Sequence, residues 1–210
     1  MSLVLNAQEA KKADYVNSNI TETGKYIGVI TRAEKLLSKN KVEGIGLSFK
    51  ADNGGSANYL DLYTTKENGE RLRGFNIAQA ILCCTRTKEA NEGEIEFEKW
   101  DKDTKKMSKT TAIGYPALMG KRIGLLLQKE LDTNNQTGAD VERVTIFGVF
   151  EADTEFTSSE ILDKSLKPEQ LEKMMLSLMS RPVRDNRAKP THQINTSAPD
   201  LSDIDSDLPF

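Results

Sequence analysis

Trp100, the only tryptophan of the chain, stands beside a turn dense in lysine: Lys99, Lys102, Lys105 and Lys106, with Lys109 just beyond. An aromatic ring among cations suits a single nucleic-acid strand, because bases stack on the ring and cations neutralise phosphates. Strand alternation places Trp100 on one face with Glu94, Glu96 and Glu98, and Ile95 with Phe97 on the other. The indole is then on the wet side. The plainer alternative is that Trp100 covers a barrel end, since tryptophan is often partly buried. A second set repeats the chemistry. Tyr59 and Tyr63 lie opposite Leu60 and Leu62, Lys50 joins them from the neighbouring strand, and Arg71 and Arg73 follow shortly after. Its alternative is a face covered by another element, with both tyrosines in the core; the DNA-binding reading is slightly favoured. Phe75 and Phe147 are assigned to the core.

Other chemistries have little to draw on. The one histidine, His192, falls in a polar C-terminal stretch, which removes most nucleophile–base and histidine–metal arrangements from the body. Cys83 and Cys84 are adjacent; vicinal cysteines rarely bridge, and two make neither a disulfide framework nor a zinc site. The acidic run Glu89 to Glu98, with Asp101 and Asp103, offers oxygen ligands for magnesium, as a nuclease would need. Alternate glutamates on an exposed strand are usually just solvated, and no neighbouring motif supplies a base. The expectation is a chain that is no enzyme and has no cofactor or metal, with a magnesium nuclease kept as an alternative.

The elements that must position these residues are short strands punctuated by turns. Tyr26–Glu34 and Val42–Lys50 are strands around the turn Ser38 to Lys41, and Asn53-Gly54-Gly55 leads by a hairpin into Ala57–Lys66. Phe75 to Thr85 has helical periodicity. A second hairpin pairs Glu94–Trp100 with Met107–Ile113. Lys121–Leu131 and Val141–Ala152 complete the strands, although Leu125-Leu126-Leu127 is also compatible with a helix. Three strands, a helix and further strands is the order of the OB-fold, a Greek-key barrel. The second hairpin is either an insertion or the fourth and fifth barrel strands.

Thr157 with Glu160 then forms a capping box, and Pro168 suits the first turn of another helix. In that helix Leu171, Met174, Met175 and Leu178 make one apolar stripe, which either mediates self-association or, as preferred here, packs on its own domain. From Arg181 onward few large apolar residues remain to offset the entropy of ordering, so the terminus is expected to be disordered. The resulting layout is an arm over residues 1–23, a mainly β, OB-like body over 24–153, a helical appendage over 154–182 and an acidic tail over 183–210.

The net charge of −3 hides an asymmetry: Lys25 to Arg143 holds 20 basic and 17 acidic residues, whereas the last eleven residues carry four aspartates and no base. Met1 to Lys12 lacks the pattern of a signal peptide, and no apolar run approaches spanning length, so the expectation is a cytoplasmic protein without a membrane partner.

The terminal run Asp203-Ile204-Asp205-Ser206-Asp207-Leu208-Pro209-Phe210 resembles the acidic tip of bacterial single-stranded DNA-binding proteins. Phage versions likewise pair an OB body with an acidic, Phe-terminated tail, and the single-body layout is closer to those; no strand matches the bacterial tetrameric protein. The resemblance covers about eight residues and implies single-stranded DNA as ligand, host cytoplasm as the location if the chain is phage-encoded, and replication, recombination or repair proteins as partners of the tail. It also implies that the tail can occupy the protein's own DNA groove. Chemically, Phe210 supplies an apolar anchor beside a free carboxylate, Leu208 and Pro209 flank it, and Asp203, Asp205 and Asp207 steer it toward a basic-rimmed pocket. An adaptor without nucleic-acid affinity is the other alternative.

Overall fold

The computed structural model describes residues 19–101, 106–134 and 137–187, with the backbone alone at 100, 101, 106 and 107. The chain is mainly β, as the alternation predicts. In order come β1 (Gly24–Leu37), β2 (Glu43–Ala51), β3 (Ser56–Thr65), α1 (Arg73–Cys84), β4 (Gly93–Asp101) and β5 (Lys106–Gly114). A short 3-10 turn (Pro116–Leu118), β6 (Arg122–Thr133), β7 (Asp140–Phe150), α2 (Ser158–Leu162), α3 (Gln170–Ser180) and β8 (Val183–Asp185) follow. No helix among the described residues is long and apolar enough to cross a membrane.

β1 organises the sheet because it changes partners along its length. Gly24 to Val29 pairs with β6, Gly28 to Leu37 pairs with β2, and Glu34 makes a single pairing with Gly114 of β5. The hairpins β2–β3, β4–β5 and β6–β7 are antiparallel, while β8 runs parallel to Lys129–Leu131 of β6. The element order is the expected one; the closure is not. β3 and β7 come near each other without a hydrogen-bonded ladder, so the sheet is not closed into a barrel. The second hairpin is an insertion rather than a pair of ring strands, since β4 pairs only with β5 and β5 meets β1 at one position. A glycine makes that meeting possible: a Cβ on Gly114 would lie 2.2 Å from the Ala33 carbonyl oxygen.

Two cores explain the leucine run. Leu125 and Leu127 join Ile30, Phe49, Leu60 and Ile81 in the main core, whereas Leu126 points the other way into a second core with Phe150, Leu171 and Leu178. The segment is a strand, apolar on both faces because α3 covers the side away from the main core. Met174 and Met175 border this second core, so the apolar stripe of α3 is used within the chain. Burial of each large side chain there stabilises by about 1.5–3 kcal/mol.

The capping box forms, and Glu160 does more than close it. Its carboxylate accepts from the Thr157 amide (2.9 Å) and hydroxyl (2.9 Å), and from the amides of Glu169 and Gln170 (2.7 Å each). One buried side chain thus caps α2 and anchors the start of α3; Pro168 falls just before that helix rather than in it. Burial alone would raise the Glu160 carboxyl, but these donors outweigh it and hold it below the usual carboxylate range. Since the folded value is depressed, this stabilisation is present above the unfolded value and is lost as pH falls through the folded one. Glu160→Ala is expected to cost about 2–3 kcal/mol by stranding buried amides, read as a lower denaturation midpoint whose difference from wild type shrinks in acid.

Residues 183–185, expected to open the disordered tail, instead form β8. Main-chain pairing, continued by the Asn186 amide to the Leu131 carbonyl (2.8 Å), supplies what apolar side chains do not. Arg187 ties the end to Asp140 (3.1 Å) and Asp185 (2.7 Å). At the other terminus Asn19 bridges Ser56, and Ile20 packs on the main core. The acidic tip from Asp203 to Phe210 lies outside the described residues.

Candidate nucleic-acid interface

Alternation on β3 sends Leu60 and Leu62 into the core and Tyr59, Asp61 and Tyr63 to the outer face. Tyr59 is 60% exposed and Tyr63 43%, so neither lies in the core. Tyr59 has φ of +60°, inside the left-handed region that bulky residues seldom enter. It belongs to an irregularity opposite Leu47 to Phe49 of β2, and holding a side-chain-bearing residue there costs on the order of 1–3 kcal/mol. Lys50 is exposed on β2, paired with Ser56 at the start of β3.

Arg32 lies behind Tyr59, and no sequence pattern pointed to it. Ile30 faces the core opposite Phe49, and simple alternation would send Arg32 the same way. The register shifts between the two residues, so Arg32 pairs with Ser48 on the outer face. The side chain is nevertheless buried, at 6% exposure. Its guanidinium carbon lies 5.2 Å from the centroid of the Tyr59 ring and 5.6 Å from that of Phe97 on β4. Glu34 and Asp61 approach only to 3.6 Å and 4.0 Å.

On the hairpin, Ile95 and Phe97 are buried and Lys99, two residues further along the same face, is exposed. Lys109 was counted as a cation for phosphate, but its ammonium is paired with Glu96 at 2.7 Å. That hydrogen bond and the negative charge of Glu96 hold its pKa above the ordinary lysine value. The backbone of Trp100 pairs with Met107 and that of Lys106 with Asp101; the side chains of Trp100 and Lys106, and all of Lys102 and Lys105, lie outside the description.

The two arginines before α1 part company. Arg73 donates to the Phe147 carbonyl (3.3 Å) and lines a hollow with Tyr63 and Asp61. Arg71 stacks on Phe75 at 4.3 Å, and Phe75 borders a separate apolar hollow. Gly74 draws α1 against β3, since a Cβ there would fall 2.2 Å from the Tyr63 carbonyl oxygen. Phe75 and Phe147, assigned to the core, are only half-buried.

The open seam between β3 and β7 forms a cleft. One part, of about 430 Å³, reaches from Ile20 past Tyr59 to Arg143; the other, of about 160 Å³, runs to Arg73 and Arg184. Asp61 lines both. Burial raises the Asp61 carboxyl, helped by Glu34 and opposed by Arg32 and Arg143. Arg143 itself is held by Glu130 (3.0 Å) and Asp132 (2.7 Å).

Burial pushes the Cys84 thiol up to about 12 and raises that of Cys83, so both are protonated at neutral pH. Among the described residues, no group of three or more histidine, cysteine or acidic side chains is placed to hold a metal ion. No protein-family model matches this chain, and no curated protein is significantly similar to it.

Proposed function

We propose that this chain binds single-stranded DNA with little regard to sequence, coating and protecting it in replication, recombination or repair, and that its acidic tip recruits partner proteins. The observation that carries this reading is the open outer face of β3. Two exposed tyrosines stand there in one row, with Lys50 at one end and Arg73 at the other. Aromatic faces accept any base, and cations at the margins follow the phosphates. The hairpin, with Lys99 exposed beyond Phe97, adds a further cation. Action in the cytoplasm, the host's if the chain is phage-encoded, belongs to the same proposal.

The test is an electrophoretic shift of a labelled oligonucleotide over stepped salt, with and without magnesium. The slope of log affinity against log salt is about −0.7 per phosphate neutralised on a single strand, so a few engaged cations give about −2 to −4. A chain that never retards the oligonucleotide is an adaptor. Degradation on adding magnesium makes it a nuclease.

A further inference from the structure

We propose that Arg32 and Tyr59 form one nucleotide subsite: a base of the single strand stacks on the outer face of Tyr59, and the buried guanidinium behind the ring is its positioning residue. This rests on the reading above and adds the place where a base is held.

Arginine remains charged at every physiological pH, and a buried charge is costly unless it is paired and hydrogen-bonded. Arg32 is not satisfied in that way. Its Nε–H is buried and has no hydrogen-bond partner among the described residues. The carboxylates of Glu34 and Asp61, at 3.6 Å and 4.0 Å, stand beyond good hydrogen-bond distance. They balance the charge at a distance without taking up the Nε–H donor. What the guanidinium does meet is aromatic, with Phe97 and Tyr59 at 5.6 Å and 5.2 Å.

Phe97 belongs to the hairpin and Tyr59 to β3, so the guanidinium meets one ring from each. A cation near the ring draws electron density inward, and the exposed surface of Tyr59 becomes a better partner for an electron-rich base. The left-handed backbone of Tyr59 holds the ring out at this point on the strand. A recognition site whose parts are set before the ligand arrives avoids the cost of ordering them on binding.

The experiment is a double-mutant cycle on the full chain, using equilibrium titration of labelled oligo(dT) by wild type, Arg32→Met, Tyr59→Ala and the double variant, with thermal melts of each. Tyr59→Ala should weaken binding by roughly tenfold or more, as for loss of one stacked base. Arg32→Met should weaken it comparably, and the double variant should bind no worse than Tyr59→Ala alone. Losses that multiply, or Arg32→Met binding like wild type, overturn the proposal. If Arg32→Met does not fold, Asp61→Asn carries the test, since it removes the acid that both faces Arg32 and lines the cleft. It should tighten binding severalfold in the wild-type background and not in Tyr59→Ala; equal gains in both, or none, overturn the subsite. Wild type that fails to bind oligo(dT) at any salt refutes the DNA reading itself, a different result from additive losses.

Discussion

Replacing Tyr59 and Tyr63 together by alanine is expected to weaken binding of a single-stranded oligonucleotide by about 2–6 kcal/mol, from about 1–3 kcal/mol for each stacked base. Both side chains are exposed on the outer face of the sheet, outside the core, so the melting temperature should change little. Tyr59→Gly sharpens the test. Glycine accepts a positive φ without penalty, so this variant should fold at least as stably as wild type and still lose the platform. Titration of each variant beside its thermal melt separates the contributions. Affinity that survives loss of both rings would move the DNA off β3, leaving the hairpin or the seam as the contact.

Removing Asp200 to Phe210 is expected to tighten DNA binding, most of all at low salt where screening is least. Four aspartates mimic a short run of phosphates, and the chain that carries them makes their encounter with the groove intramolecular. The geometry permits it. Arg187 is fastened to Asp140 near the β6–β7 end of the seam, and Arg184 lines the cleft. The chain from Arg187 to Asp200 reaches about 40 Å when extended. Phe210→Ala should behave differently, scarcely changing DNA affinity while losing capture of replication or recombination proteins, because it removes the apolar anchor and keeps every side-chain charge. Titrations across salt decide the first half. Equal affinity of the truncated and intact chains at every salt would reduce the tail to a partner hook.

Much of the body was legible because its strands bury one face. Alternation in Ile45-Gly46-Leu47-Ser48-Phe49 and in Tyr59-Leu60-Asp61-Leu62-Tyr63 marked β2, β3 and the outward tyrosines. Leu125-Leu126-Leu127 was ambiguous for a physical reason: β6 lies between two cores, so the period of two vanishes. Arg32 was illegible because a single register shift reverses the side it faces. The open seam was equally hidden, since whether β3 and β7 pair depends on their separation in space. Lys109 shows the limit of counting cations. Its partner Glu96 lies diagonally across the hairpin from it, and no count of lysines in the turn reveals that pairing.

The acidic strand β4 has one further consequence. It is the last strand of its branch of the sheet, with β5 on one side and no strand on the other among the described residues. Such a margin invites a second chain to extend the sheet, the route by which β proteins aggregate. Glu94, Glu96 and Glu98 are exposed along it. Another copy arriving antiparallel would set carboxylates against carboxylates, and like charges opposed across strands are destabilising. The glutamates that first suggested metal ligands thus stand where their charge opposes such pairing at the margin of the sheet.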